Sequence, residues 1–248
     1  DGKADALVSA GSTGALLTGA TLITKRVRGI RRAAMAPVIP TTTGRAVLID
    51  CGANAECTPE YLVQFAYLGN FYAKRVLGIG TPRVGLLNIG AEDSKGTQLQ
   101  KDAYALLKKA GDAGYVNFIG NVEAREVPLG GCDVAVCDGF TGNIILKTTE
   151  GLAKLFMSEI KSIFMKSLPN KLAAAVVKKD LGEFKRKFDS AEYGGALLLG
   201  TRKPVIKAHG SSDAKAFYNA VRQAISCCEN RIIGEMENQL AAETVETE

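Results

Sequence analysis

Short runs rich in valine, isoleucine and leucine alternate along the chain with longer stretches of helical spacing, and a small-residue segment separates the two each time. Ala6-Leu7-Val8 leads into Ser9-Ala10-Gly11-Ser12-Thr13-Gly14 and then an Ala/Leu-rich helix. Ala46-Val47-Leu48-Ile49-Asp50 leads into Cys51-Gly52-Ala53-Asn54, with Thr58-Pro59-Glu60 opening the next helix. Val84-Gly85-Leu86-Leu87-Asn88 precedes a loop and a helix predicted over residues 97–110. Val116-Asn117-Phe118-Ile119 ends at Gly120, and Val134-Ala135-Val136-Cys137 ends at Asp138-Gly139-Phe140-Thr141-Gly142-Asn143, ahead of a helix carrying Lys147. Later come a small-residue segment at Gly194-Gly195, a strand at Pro204-Val205-Ile206-Lys207, and a final helix over 214–237 that Ser211-Ser212-Asp213 can cap. Strand, loop and helix repeated in this order predict an α/β fold with a largely parallel sheet.

In such sheets ligands sit beyond the carboxyl ends of the strands, where the loops converge. The polar and glycine-rich segments fall at those ends, and the helix N-termini that follow them suit an anion. Neither a Walker loop nor a G-x-G-x-x-G fingerprint is present, which lowers the case for a nucleotide. The single histidine, His209, lies in Lys207-Ala208-His209-Gly210-Ser211-Ser212, just after the last strand. It admits two readings, a general base beside a cation and two hydroxyls or an imidazole held by backbone at a strand end. Asp138 likewise reads as a helix cap or as an orienting group, and Thr141 and Asn143 as anion donors or turn residues.

Residues 168–189 form a distinct pattern. Leu172, Val176, Val177, Leu181, Phe184 and Phe188 make an apolar stripe at helical spacing, and six cations, including Lys178, Lys179 and Lys185, stand against Asp180 and Glu183. A basic amphipathic helix suits an anionic membrane surface or an acidic protein, and equally a surface helix packed on its own core or on a twin subunit.

Composition removes several classes of function. With 46% hydrophobic and 23% charged residues in 248, the chain can bury a substantial core, and a net charge of +5 without an aromatic-studded basic stripe argues against nucleic acid. Six cysteines without a Cys-x-x-Cys pair, and one histidine to supplement them, predict reduced thiols and no metal site. No signal peptide and no run of about 20 apolar residues is found, so a cytoplasmic protein is expected. The start at Asp1 without methionine reads as an N-terminally incomplete chain, and residues 241–248 as a flexible acidic tail.

Seven ordered segments carry a resemblance: Ser9–Ala15, Asp50–Asn54, Leu87–Gly90, Gly120–Arg125, Cys137–Asn143, Ala191–Ala196 and Lys207–Ser212. Together they closely resemble the bacterial phosphate acyltransferase family. The resemblance implies a single three-layer α/β/α domain over residues 1–240, akin to isocitrate and isopropylmalate dehydrogenases, with 168–190 protruding. It implies transfer of a long acyl chain from acyl carrier protein to inorganic phosphate without a cofactor, giving acyl phosphate for phospholipid synthesis. The partners it implies are acyl carrier protein, phosphate, the inner face of the cell membrane, a membrane glycerol-3-phosphate acyltransferase downstream, and a second copy of the chain. Two departures stand out: the family's opening strand and Asp-Ala-Met-Gly-Gly-Asp loop have no counterpart, and Ser12 replaces the usual asparagine. On this reading Ser9, Gly11, Ser12, Thr13, Gly14, Asp138, Gly139, Thr141, Gly142, Ser211 and Ser212 cradle phosphate. Lys207 and Asn143 supply charge and a donor, His209 moves a proton, and Asn54 holds the oxyanion. A coenzyme A-dependent phosphotransacylase and a non-catalytic membrane scaffold remain the rival readings.

Overall fold

A computed structural model describes residues 2–188 and 194–237. Its strands are β1 (Leu7–Ser9), β2 (Ala34–Ala36), β3 (Val38–Thr41), β4 (Gly44–Ile49), β5 (Arg83–Asn88), β6 (Asn117–Glu123), β7 (Val134–Val136), β8 (Ala196–Leu199) and β9 (Val205–Lys207). The helices are α1 (Thr13–Gly19), continued by a π-helical turn at Ala20–Thr24, then α2 (Pro59–Arg75), α3 (Gln98–Asp112), α4 (Gly139–Met165), α5 (Leu168–Val176), α6 (Lys178–Phe188) and α7 (Ala214–Glu229). The expected acidic tail, and Ala191-Glu192-Tyr193 of the sixth resembling segment, lie outside the described residues.

The strands divide between two sheets. The larger runs β3-β4-β7-β5-β6 and is parallel except for β3, and the smaller runs β1-β9-β8-β2, with β1 and β9 parallel and the rest antiparallel. Alternation along the strands of the larger sheet buries both of its faces. Val47, Ile49, Val84, Leu86, Val134 and Val136 join Leu62, Phe65 and Phe71 of α2 and Leu107 of α3 in one core. Ala46, Leu48, Leu87 and Ala135 point the other way, toward Ile145 and Leu146 of α4. The sheet is thus the middle layer between α2/α3 and α4.

Local chemistry sets the ends of these helices. Pro59 sits in the first turn of α2 with Glu60, while Lys74 and Arg75 stand at the carboxyl end of its dipole. Thr97 and Gln100 form a reciprocal capping box on α3.

Four expectations change in detail. The strand that was to stop at Ile119 runs on to Glu123, passing Gly120 at φ 94 where the register with β5 shifts. The segment Gly139–Asn143 is the first turn of α4 and not a loop. The basic stripe is split at Val177 into α5 and α6, neither of which has a buried residue. The last helix breaks after Glu229, with Arg231 at φ 48.

Candidate active site

The cleft that collects the polar residues opens where the carboxyl ends of both sheets meet. Ser9 of β1 is the register partner of Lys207 of β9, and the Ala208 N–H donates to the Ser9 carbonyl at 2.9 Å, so the two segments leave one edge side by side. Across from them β4 ends at Asp50, and α4 begins after β7. The cleft has a volume of about 530 Å³ and is lined by Thr13, Asn143, Lys147, Glu150, Lys207, His209, Ser211 and Ser212, with Met35, Pro37, Val38 and Leu146 as an apolar wall.

One wall is built on Asp50, which is fully buried. Its carboxylate accepts from the N–H groups of Met35 at 2.8 Å, Cys51 at 2.6 Å, Ala53 at 3.3 Å and Asn54 at 2.6 Å, and from the Asn54 amide at 2.9 Å. Burial raises its pKa above the usual carboxylate range, and the facing donors pull it back. The second Asn54 amide hydrogen goes to the Ala33 carbonyl at 2.9 Å. Both donors of Asn54 are therefore committed inside the wall, which corrects its expected role as an oxyanion donor: it props Asp50.

The N-terminus of α4 is locked in a similar way. Asp138 caps it, accepting from the Thr141 N–H and hydroxyl, each at 2.8 Å. A Cβ on Gly139 would lie 2.6 Å from the Asn54 carbonyl, and one on Gly142 would collide with the Asp50 carbonyl. These glycines bring the helix against the end of β4. Asp138, Gly139, Thr141 and Gly142 thus build the floor rather than line the cleft, and Asn143 is the residue of that segment that reaches it.

Thr13 plays the same part for the first segment. Ser9 Oγ accepts from the Gly11 N–H at 3.1 Å and Ser12 Oγ caps α1 by accepting from the Ala15 N–H at 3.4 Å, so these hydroxyls serve their own turn, with Gly14 next to them in the first turn of α1.

On the opposite wall His209 Nδ1 accepts from the Ser211 N–H at 3.2 Å and lies 2.7 Å from the Ser211 hydroxyl. The two contacts of Nδ1 suit different neutral tautomers: the Ser211 N–H needs Nδ1 bare, and the Ser211 hydroxyl can take a proton from it. Nε2 stands 3.5 Å from the ammonium of Lys147, which also contacts Glu150 at 2.8 Å. Nε2 and Nζ thus stand side by side at the cleft. Lys207 lies close by, its ammonium donating to the Ala208 carbonyl, and its pKa is lowered by burial and then by the charge of Lys147. Cys51, the thiol of the lining, is pushed up to about 12 by burial and by Asp50, so it stays protonated and is no nucleophile at neutral pH.

Lys147 and Glu150 were not singled out in the sequence. The signal was helical spacing: with α4 begun at Gly139, positions 143, 147 and 150 fall on one face. The residues expected at a membrane surface stand elsewhere, on α5 and α6. Leu172 is 64% exposed and Val176 84%, Val177 is half-buried, and Lys178, Lys179 and Lys185 are exposed. No helix among the described residues is long and apolar enough to cross a membrane.

Among the described residues the cleft gathers cations, an imidazole and hydroxyls at the carboxyl ends of parallel strands of an α/β fold, a chemistry that suits an anion. The chain belongs to the family described as fatty acid synthesis protein, whose model matches residues 1–234. It is 51% identical over 240 residues to the phosphate acyltransferase of Clostridium botulinum (strain Loch Maree / Type A3), covering 97% of this chain and 70% of that protein. It is 54% identical over 231 residues to the phosphate acyltransferase of Alkaliphilus oremlandii, covering 93% and 68%. Among solved structures it is similar in fold to the EutD phosphotransacetylase from Staphylococcus aureus, with a TM-score of 0.58, 19% identity, and coverage of 92% of this chain and 64% of that one. A branched-chain phosphotransacylase from Enterococcus faecalis gives 0.53, 16%, 90% and 73%.

Proposed function

We propose that the chain is a phosphate acyltransferase that moves an acyl group from a carrier thioester to inorganic phosphate, and that the cleft holds the phosphate. The observation that carries this reading is the pairing of His209 Nε2 and Lys147 Nζ, 3.5 Å apart in the lining of the cleft, with Lys207 close by. Asn143, Thr13, Ser211 and Ser212 supply neutral donors around the same space. A phosphate oxygen attacks the thioester carbonyl and forms the new C–O bond. The tetrahedral oxyanion then collapses, the C–S bond breaks, and the thiolate takes a proton. Placement and charge supply most of the rate, since phosphate is itself the nucleophile. With the ring proton on Nδ1 facing Ser211 Oγ, His209 Nε2 takes a proton from the attacking phosphate and returns it to the departing sulfur, so the ring ends the cycle as it began.

Phosphate dependence of thiol release tests the reaction. Release from long-chain acyl carrier protein thioester is expected to require phosphate and to exceed release from acyl coenzyme A. Preference for coenzyme A would favour the short-chain phosphotransacylase reading, and no release would favour a scaffold.

Lys207 gives this reaction a pH signature. A lysine holds an anion only while protonated, so its depressed pKa makes phosphate binding fall away at a lower pH than an ordinary lysine would allow. Lys207→Arg moves that decline to higher pH, and phosphate titrations between pH 7 and 10 check it.

The membrane role extends the proposal. Leu172 and Val176 on α5, flanked by exposed Lys178 and Lys179, support peripheral docking on anionic lipid, where a lipid product is handed on. Val176→Glu should lower co-sedimentation with anionic liposomes several-fold and leave thiol release in solution unchanged. Wild-type pelleting of that variant would remove the docking claim. The exposed Leu152, Leu155 and Phe156 of α4 support pairing with a second copy through the same projecting helix.

A further inference from the structure

Asn143, Lys147 and Glu150 share the cleft side of α4, and Glu150 brings a negative charge into a space otherwise furnished for an anion. The other carboxylate of the described lining, Asp213, accepts from the Ala216 N–H at 2.8 Å and caps α7. Glu150 has no such duty. Its Oε2 meets Lys147 Nζ at 2.8 Å, and the two side chains keep 27% and 49% of their surface exposed. A carboxylate left beside a bound phosphate dianion would repel it. As a pair partner it does something else: it neutralises an ammonium that would otherwise face Lys207 and His209 across an empty cleft.

Resting on the reading of this cleft as a phosphate site, we infer that Glu150 is a built-in counter-ion that holds Lys147 while the cleft is empty and yields it to phosphate. Binding is then an exchange in which the ammonium trades one anion for another. Lys147 contacts the substrate, and Glu150 is a positioning residue that acts through it. The device keeps Lys147 ordered and aimed into the cleft between turnovers. Its cost is a weaker affinity for phosphate, so the site fills only when phosphate is plentiful.

Calorimetric titration of the full chain with inorganic phosphate, without thioester, reads the exchange directly. Glu150→Gln keeps the shape of the side chain and removes its charge, so phosphate should bind about two- to fivefold more tightly, the factor that a pair this exposed is worth. Lys147→Met should weaken binding roughly 10- to 100-fold, as expected for a lost charged hydrogen bond. In the Lys147→Met background, Glu150→Gln should gain clearly less, because the ammonium under competition is gone and only the relief of repulsion remains. Sulfate, which has the same charge and shape, should follow the same order.

Three results would overturn the inference. Weaker binding in Glu150→Gln would make the carboxylate an orienting group for Lys147. An equal gain with and without Lys147 would make it simple repulsion. Unchanged affinity would make the pair incidental to binding. Absence of phosphate binding in the wild type would overturn the phosphate reading itself, and this inference with it, whereas binding in the wild type with no effect of Glu150→Gln removes this inference alone. Neither side chain is fully buried, and thermal melts of the variants check that the fold is kept.

Discussion

Replacing His209 by glutamine lowers turnover roughly 10²–10⁴-fold while phosphate affinity changes only a few-fold, the loss expected when a general acid is removed and its hydrogen bond is kept. The glutamine amide still donates from about the position of Nε2, so it can hold phosphate. What it cannot do is give up a proton to the leaving sulfur. The ring is well placed for that step: Nδ1 is held by Ser211, which turns Nε2 toward Lys147 and the cleft. Parallel kcat and phosphate-binding measurements across pH 6–9 check the split. If instead kcat is unchanged at every pH and only affinity falls, His209 holds phosphate and moves no proton.

Asp50→Ala should cost the largest amount of stability of any change near the cleft, roughly 3–5 kcal/mol, because it strands several buried donors at once. Five donor groups converge on this carboxylate: the N–H groups of Met35, Cys51, Ala53 and Asn54 and the Asn54 side chain. They tie β2 of the smaller sheet to the end of β4 in the larger one, so the loss would loosen the seam along which the cleft opens. Asp50→Asn is expected to recover only part of it, since one of its two oxygens becomes an NH₂ facing N–H groups. Chemical denaturation of both variants provides the comparison. Wild-type stability in Asp50→Ala would mean that water satisfies those donors and that the seam is held elsewhere.

Legibility in the sequence followed burial. β4, β5 and β7 are apolar runs because both faces of the larger sheet are covered, by α2 and α3 on one side and by α4 on the other. Their turns and the helices after them stood out for the same reason. β2 was not visible, since Ala34-Met35-Ala36 lacks branched residues and Pro37 follows immediately; its strand state comes from pairing with β8. The segment Asp138–Asn143 misled through its glycines, which look like loop residues. They are helical, and small because the helix start presses on the Asp50 and Asn54 carbonyls.

The lining of the cleft was legible where chain neighbours form it, as in Lys207, His209, Ser211 and Ser212. It was not legible where partners come from distant segments. The Lys147–His209 approach joins residues 62 apart in sequence, and nothing local announces it. Asn54 was misassigned because composition cannot say where an amide points; its partners Ala33 and Asp50 belong to the wall. The geometry separates residues that face the cleft from residues that support its walls.

The central claim, that this cleft joins phosphate to an acyl group, is tested most directly by following labelled phosphate. With long-chain acyl carrier protein thioester and radiolabelled phosphate, wild-type protein should move label into a lipid-extractable acyl phosphate, one label for each thiol released. His209→Gln should form the same product far more slowly. Thiol release without incorporation of label, or at a rate indifferent to phosphate, would contradict the account.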